Sequence, residues 1–260
     1  MAEIRYEAAA GVATLVLDQP DRLNAMTFEM WQALPALVAR AEADATVRVI
    51  AVTGAGERAF CAGADISQFG DRREGRDAIA AYDAAYARGC AALVEAGKPS
   101  VAVIGGICFG GGLGLAMSCD LRIARADSRF RIPAARLGLG YAYEGVRLLV
   151  TKLGPNVTAD LLLSARIVAG EEALSLGIVS ALWEAERFGT ESAAYLARIA
   201  GNAPLTLRAV KRALAELARP EKDRDVAAVR ATVEACFESA DYREGRLAFG
   251  EKREPVFKGE

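Results

Sequence analysis

The chain contains no histidine. That absence excludes a Ser-His-Asp or Cys-His catalytic arrangement, an imidazole metal ligand and an imidazole proton relay. Acid–base chemistry must come from carboxylates, Tyr, Lys, Cys or the backbone. An excess of charge of either sign is also lacking: 32 Lys and Arg stand against 34 Asp and Glu, a net charge of −2. A sequence-blind nucleic-acid binder needs a strong basic excess to release phosphate counterions, so no nucleic-acid partner is expected. The five cysteines (Cys61, Cys90, Cys108, Cys119 and Cys236) are odd in number and include no C-x-x-C pair. They read as reduced thiols filling apolar space, which points to a cytoplasmic protein without a structural zinc site. Long hydrophobic runs are missing as well. The stretch Val101 to Met117 is broken by glycines and falls short of a membrane span, and the opening MAEIRYE puts charges where a signal peptide needs an apolar core. A soluble protein with no membrane partner is the expectation.

What is present is apolar enough for a sizeable core: 260 residues, 53% hydrophobic and 25% charged, fit one large α/β domain or a domain with a small extension. Ile4 to Leu17 alternates around Gly11 as a hairpin does, ending at the turn Asp18 to Asp21. Thr27 is an N-cap for a helix over Phe28 to Ala43, and Pro35 predicts a kink or a displaced start. Val47 to Thr53, Pro99 to Ile104 and Leu121 to Ala124 are short apolar runs of buried-strand type, with Ala78 to Ala96 at helical spacing between the first two. Strand, helix and strand in this order predict right-handed βαβ crossovers and a mainly parallel sheet. After about Pro155 the chain reads as nearly all helical: Asn156 to Ser164, Glu171 to Leu176, Glu191 to Gly201, Leu205 to Ala218 and Asp223 to Ser239.

Two glycine-centred segments carry the chemical signal. Gly110-Gly111-Gly112-Leu113-Gly114 follows a strand and opens a helix. It satisfies neither G-x-x-x-x-G-K-[ST] nor G-x-G-x-x-G, which disfavours ATP or dinucleotide binding. What remains is bare backbone with unpaired N–H groups at a positive helix end, able to bind an oxyanion; the competing reading is close helix–sheet packing. Ala59 to Ile66, AFCAGADI, runs from a turn into a short helix, with small residues on both sides of Gly63. Two such N–H groups converging on one carbonyl oxygen make an oxyanion hole. Asp65 reads as the helix N-cap.

With these residues the chain resembles the crotonase (enoyl-CoA hydratase/isomerase) superfamily. The matching segments are LNAMT at Leu23 to Thr27, AFCAGADI at Ala59 to Ile66, KPSVAVIGGICFGGGLGLAMSCDLRIA from Lys98 to Ala124, and DYREGRLAFGEKREPVF from Asp241 to Phe257. The resemblance implies an α/β fold, a crotonase-like spiral of βαβ units over residues 1–200 that binds acyl-CoA. Residues 201–260 would then form a helical C-terminal oligomerisation region, making a homotrimer or a dimer of trimers. It implies an oxyanion hole from the N–H groups of Ala64 and Gly111, and acyl-CoA contacts from Ala62, Ala64, Asp65, Ile66, Gly111, Phe249 and Lys252. Phe249 and Lys252, three apart on one helix face, would reach coenzyme A partly from a neighbouring subunit. No separate cofactor and no metal is expected, because the coenzyme A thioester is itself the substrate.

The chain departs from the pattern of the hydratases it resembles, which use two glutamates to activate water and protonate the α-carbon. Here the corresponding positions are Gly114 and, after the proline of Phe130-Arg-Ile-Pro-Ala134, Ala134. Replacement groups are sought in Gly138 to Gly145, where Tyr141 matches a tyrosine of the methylmalonyl-CoA decarboxylases and Glu144 is the only carboxylate between Ser128 and Asn156. Tyr141 and Glu144 are therefore the candidates for proton transfer. Their alternative readings are aromatic lining of an acyl pocket, shared with Tyr143, and a first-turn acid favoured by the helix dipole. Arg131 and Arg136 are either solvated or recognise a substrate carboxylate, and Arg147 reads as a surface helix residue. The sequence thus predicts an enoyl-CoA hydratase/isomerase-type lyase or isomerase in which two-glutamate hydration is doubtful. Decarboxylation, which makes an enolate without a base, is the alternative. A non-catalytic acyl-CoA binding protein is the alternative from another class.

Overall fold

The computed structural model describes residues 2–65 and 75–260. Ile66 lies outside the described residues, as does the helix expected to begin there. Among the described residues the strands form two sheets. The larger contains β1 (Glu3–Ala9), β2 (Val12–Asp18), β3 (Val49–Gly54), β5 (Ser100–Ile104), β7 (Leu121–Arg125) and β10 (Ala181–Trp183), in the order β1-β2-β3-β5-β7-β10. The β1–β2 hairpin is antiparallel, turning at Ala10 and Gly11, and each later neighbour is parallel. The central strands are apolar along their whole length because both faces are covered. Ile50, Val52, Ala102 and Ile104 face the main core. The alternate residues Val49, Val101 and Ile123 pack on Tyr195, Leu196 and Ile199 of the helix Ala185–Ala200.

The helix Phe28–Ala43 starts where its cap predicts: the Thr27 hydroxyl accepts from the Met30 N–H at 3.2 Å. That cap stabilises the end by about 1 kcal/mol. Pro35 does not displace the start, because the helix runs through it from Phe28. Trp31 and Leu34 of this helix are fully buried. They meet the helix Arg76–Glu95 where Gly89 would bring a Cβ within 3.1 Å of the Trp31 ring. The absence of a side chain at Gly89 lets the two helices approach this closely.

The smaller sheet corrects the sequence reading. β4 (Ala59–Cys61), β6 (Ile107–Phe109), β8 (Arg129–Arg131) and β9 (Val168–Ala169) lie in that order, the first three parallel. The segment Ala59 to Ile66, expected to be a turn entering a helix, therefore begins as a strand. The region after Pro155 also contains β9 and β10 beside its helices. These strands are two or three residues long, too short for a periodicity to register. The remaining predicted helices stand at Gly170–Ser175, Pro204–Leu217 and Val226–Glu238, followed by Ala240–Glu251. The helix Tyr143–Ala159 breaks at Gly154, beside Pro155, and continues into a π-helical turn at Asp160–Ser164. Among the described residues no helix is long and apolar enough to cross a membrane.

Candidate active site

Three parallel strands end side by side and carry the two glycine segments with them. β4 runs into Ala62-Gly63-Ala64, β6 into Gly110-Gly111, and β8 into Ile132-Pro133-Ala134. Crevices at the carboxyl ends of parallel strands are where such sheets hold ligands. At the first segment, Met26 donates to the Gly63 carbonyl at 2.7 Å, and the Asp65 N–H donates to the Met26 carbonyl at 3.0 Å. Ala64 is the bridge partner of Met26 between these two bonds. Backbone groups alternate sides along an extended segment, so the Ala64 N–H is directed away from Met26. Gly63 has φ +111°, a conformation that L side chains rarely adopt, and a Cβ there would lie 3.2 Å from the Phe109 carbonyl oxygen and 3.5 Å from the Gly111 nitrogen. Glycine is required for both reasons.

At the second segment Gly110 (φ +52°) precedes the helix Gly111–Ser118 without a capping side chain. The Gly111 N–H is the first of the helix and has no intrahelical acceptor; the Gly114 N–H is the one that returns to the Gly110 carbonyl. A Cβ on Gly111 would stand 3.8 Å from the Ala64 nitrogen. The two N–H groups singled out in the sequence are thus brought to one niche. Helix–sheet packing is also present, one residue on: a Cβ on Gly112 would overlap Cys61. The close-packing reading of the glycine run is met at Gly112.

Aromatic rings wall the niche. A Cβ on Gly111 would touch Trp31 Cζ2 at 3.6 Å and Tyr86 Cε2 at 3.8 Å. Trp31 and Tyr86 pack edge to face with centroids 4.9 Å apart, and Trp31 Nε1 donates to the Tyr82 hydroxyl at 3.0 Å. The Tyr86 ring continues down the helix to Gly114, where its hydroxyl fills the space that a side chain on Gly114 would need. Sequence reasoning missed Tyr86. It sits on an ordinary helix with Tyr82 one turn before it, and no local signal separates it from core aromatics.

The Tyr86 hydroxyl is coupled to the Tyr141 hydroxyl and the Cys90 thiol. Burial, with those neighbours, holds Tyr86 well above the ordinary tyrosine value. Burial pushes Tyr141 up to about 12, against a smaller opposing effect of the Tyr86 hydroxyl. Burial raises Cys61 to about 12 and Cys90 to about 11, so these thiols stay protonated at neutral pH and unreactive. Cys61, Cys90, Cys108 and Cys119 are buried and all five cysteines are free, as the filler reading expects.

The other predicted residues divide. Ala62 binds its N–H to the Leu23 carbonyl at 2.9 Å. The buried Asp65 carboxylate accepts from Gln19 at 3.1 Å and from Arg22 at 3.0 Å; the helix it was expected to cap lies beyond the described residues. Ala134 opens the short helix Ala134–Leu137 beside the niche, and Pro133 Cδ would lie 3.7 Å from a Cβ on Gly110. Glu144 is exposed in the first turn of its helix, where its dipole reading placed it. Tyr143 is 75% exposed and so departs from the pocket-lining reading that it shared with Tyr141. Arg131 Nε is held by the Ala165 carbonyl at 2.7 Å, Arg136 is exposed, and Arg147 is an exposed helix residue. Phe249 is 86% exposed. Lys252 departs from the expectation that it shares a helix face with Phe249: it ends the helix in the left-handed conformation, φ +56°. That reversal turns its side chain out of helical register.

Among the described residues no group of three or more His, Cys, Asp or Glu side chains could hold a metal ion. Two surface hollows, of about 520 and 360 Å³, lie elsewhere: one between the helices Phe28–Ala43 and Arg76–Glu95, the other at the ends of β3 and β5 against Phe188.

Comparison with known proteins gives a consistent picture. A family model described as enoyl-CoA hydratase/isomerase matches residues 7–260. A short-chain-enoyl-CoA hydratase of Clostridium acetobutylicum is 30% identical over 249 residues, 95% of this chain and 94% of the relative. A carnitinyl-CoA dehydratase of Proteus mirabilis is 33% identical over 252 residues, covering 95% of each. Among solved structures, an enoyl-CoA hydratase/carnithine racemase from Magnetospirillum magneticum superposes with a TM-score of 0.93 at 33% identity, covering 100% of this chain and 97% of that one.

Proposed function

The chain belongs to the enoyl-CoA hydratase/isomerase family, with the crotonase fold of its structural neighbours, and on that premise we propose that it acts on an acyl-CoA thioester whose carbonyl oxygen is held by the N–H groups of Ala64 and Gly111. The convergence of those two backbone segments at Gly63 and Gly111 carries this reading. Donors fixed in advance at the site where charge develops stabilise an enolate more than the neutral thioester, and one such donor is worth about a hundredfold or more in rate. The positive end of the helix Gly111–Ser118 adds to the same field. The substrate brings its own coenzyme A, and no separate cofactor takes part.

The reaction divides on what forms the enolate. Hydration and isomerisation, the chemistry in the printed names of the relatives, need a group that takes or activates a proton. Positions 114 and 134 supply none, and the hydroxyls of Tyr86 and Tyr141 are held neutral. Loss of CO2 from an α-carboxylated thioester forms the enolate without a base, and the neutral aromatic wall favours that second reading. Exposed apolar side chains along the C-terminal helices, among them Leu214, Leu217, Phe237 and Leu247, support a homotrimer or dimer of trimers. In such an assembly the exposed Phe249 and Lys252 would meet coenzyme A bound to a neighbouring subunit.

The test is a panel of saturated, unsaturated and α-carboxylated acyl-CoA thioesters incubated in D2O and read by mass spectrometry. Deuterium at the α-carbon of any member, by exchange or turnover, supports enolate formation. Measurable binding with neither exchange nor turnover would overturn the enzyme reading and leave an acyl-CoA binding protein.

A further inference from the structure

Resting on the thioester reading above, we infer that Tyr86 is a catalytic residue whose hydroxyl delivers the proton to the thioester α-carbon from the place that a side chain on Gly114 would otherwise take. Three observations place it there. The Tyr86 ring edge lies against Gly111, one of the two oxyanion donors, and its hydroxyl lies against Gly114 on the same helix face. Residues three apart on a helix are about 5 Å apart, the separation between an oxyanion donor and a group that acts on the neighbouring carbon. Trp31 holds the ring edge to face and is itself fixed by Tyr82, so the hydroxyl is aimed by packing.

The alternatives around the niche are committed elsewhere. Asp65 is bonded to Arg22 and Gln19, Arg131 to the Ala165 carbonyl, and Glu144 is exposed. The buried Cys90 thiol is engaged with the Tyr86 hydroxyl and with Ser118, whose Oγ donates to the Gly114 carbonyl at 3.0 Å, and burial holds that thiol protonated. Burial keeps Tyr86 in its phenol form, which makes it a donor and not a base.

In the step, the electron pair of the enolate C=C bond takes the Tyr86 proton and forms the α C–H bond. The thioester carbonyl re-forms between Ala64 and Gly111, and the O–H bonding pair stays on Tyr86 as phenolate. An enolate carbon is a much stronger base than a phenolate, so the transfer is downhill. The phenolate recovers its proton from Tyr141, and Tyr141 recovers one from water at the exposed segment on either side of it. When the enolate arises by loss of CO2, one solvent proton is consumed per turnover.

The experiment is turnover of methylmalonyl-CoA and of crotonyl-CoA in D2O by the full chain, because both products carry the new α-hydrogen on a stereogenic carbon. The protein is expected to place deuterium on one face only. Tyr86→Phe keeps the ring and removes the donor. It is expected to slow turnover by about a hundredfold and to give residual product deuterated on both faces, while butyryl-CoA binding measured by calorimetry stays within about threefold. A Tyr86→Phe variant that keeps both rate and facial selectivity overturns the role of Tyr86 and leaves the thioester reading standing. Should that variant fail to bind butyryl-CoA, Gly114→Ala decides: its Cβ displaces the same hydroxyl, and one-sided deuteration retained there overturns the proposal. An unaltered protein that binds butyryl-CoA but neither turns over nor α-deuterates these probes or any other member of the thioester panel overturns the thioester-enzyme reading, and the role of Tyr86 with it.

Discussion

The hydroxyl of Tyr86 stands where a side chain on Gly114 would begin. Two residues 28 positions apart in the chain therefore share one volume. Position 114 is filled space, and restoring a side chain there requires Tyr86 to retreat.

That relationship predicts a strong thermodynamic coupling. Gly114→Ala alone should destabilise the fold by about 1–3 kcal/mol through overpacking. In a Tyr86→Phe background, where the overlapping oxygen is gone, the same change should cost less by about 1 kcal/mol or more. Urea denaturation of the four proteins measures the cycle. Additive costs would mean that the two residues do not compete for the same volume.

Gly63 offers a second test, on the geometry of the two donors. Gly63→Ala forces a side chain onto a backbone at φ +111° and brings its Cβ to 3.2 Å from the Phe109 carbonyl. The segment must shift, and with it the Ala64 N–H. The expected outcome is a loss of about 1–3 kcal/mol in stability together with an affinity for butyryl-CoA at least about tenfold weaker, read by calorimetry. A Gly63→Ala protein that binds the thioester normally would separate Ala64 from the binding site.

Alkaline pH probes the buried acids. Cys61 and Cys119 are pushed up from 9.0 to about 12, and Tyr141 from 10.0 to about 12, in each case first of all by burial. Above pH 9 the unfolded chain therefore releases protons that the native one retains, so it binds fewer protons and stability falls as pH rises. Below pH 9 these groups contribute no pH dependence. The urea midpoint should hold steady between pH 7 and 9 on their account and decline from pH 9 to 11. A midpoint unchanged up to pH 11 would show that these side chains are reached by solvent.

Much of this architecture was legible in the sequence because local physics sets it. The cap at Thr27, the hairpin around Gly11 and the apolar runs of β3, β5 and β7 declare themselves through residue type and spacing alone. The two glycine segments could be singled out because bare, small-residue backbone is itself the signal, and they do lie together. The small sheet was not legible: β4, β6 and β8 have three residues each, and a period of two cannot be read from three. Yet that sheet is what brings Ala64 and Gly111 together. Lys252 shows the same limit, since helical spacing alone could not reveal the left-handed residue that takes it off the face of Phe249.

The sequence by itself determined which chemistry was out of reach: with no histidine, imidazole catalysis lacks its groups, and Gly114 and Ala134 have no side chains that transfer a proton. Only the tertiary structure decided what stands in their place. Tyr86 lies against Gly111 and Gly114 because two helices cross closely at Trp31 and Gly89, and the depth of a helix crossing is fixed by the volumes on both sides of it at once. No stretch of one chain records that sum, so the place of Tyr86 became visible only when the packing did.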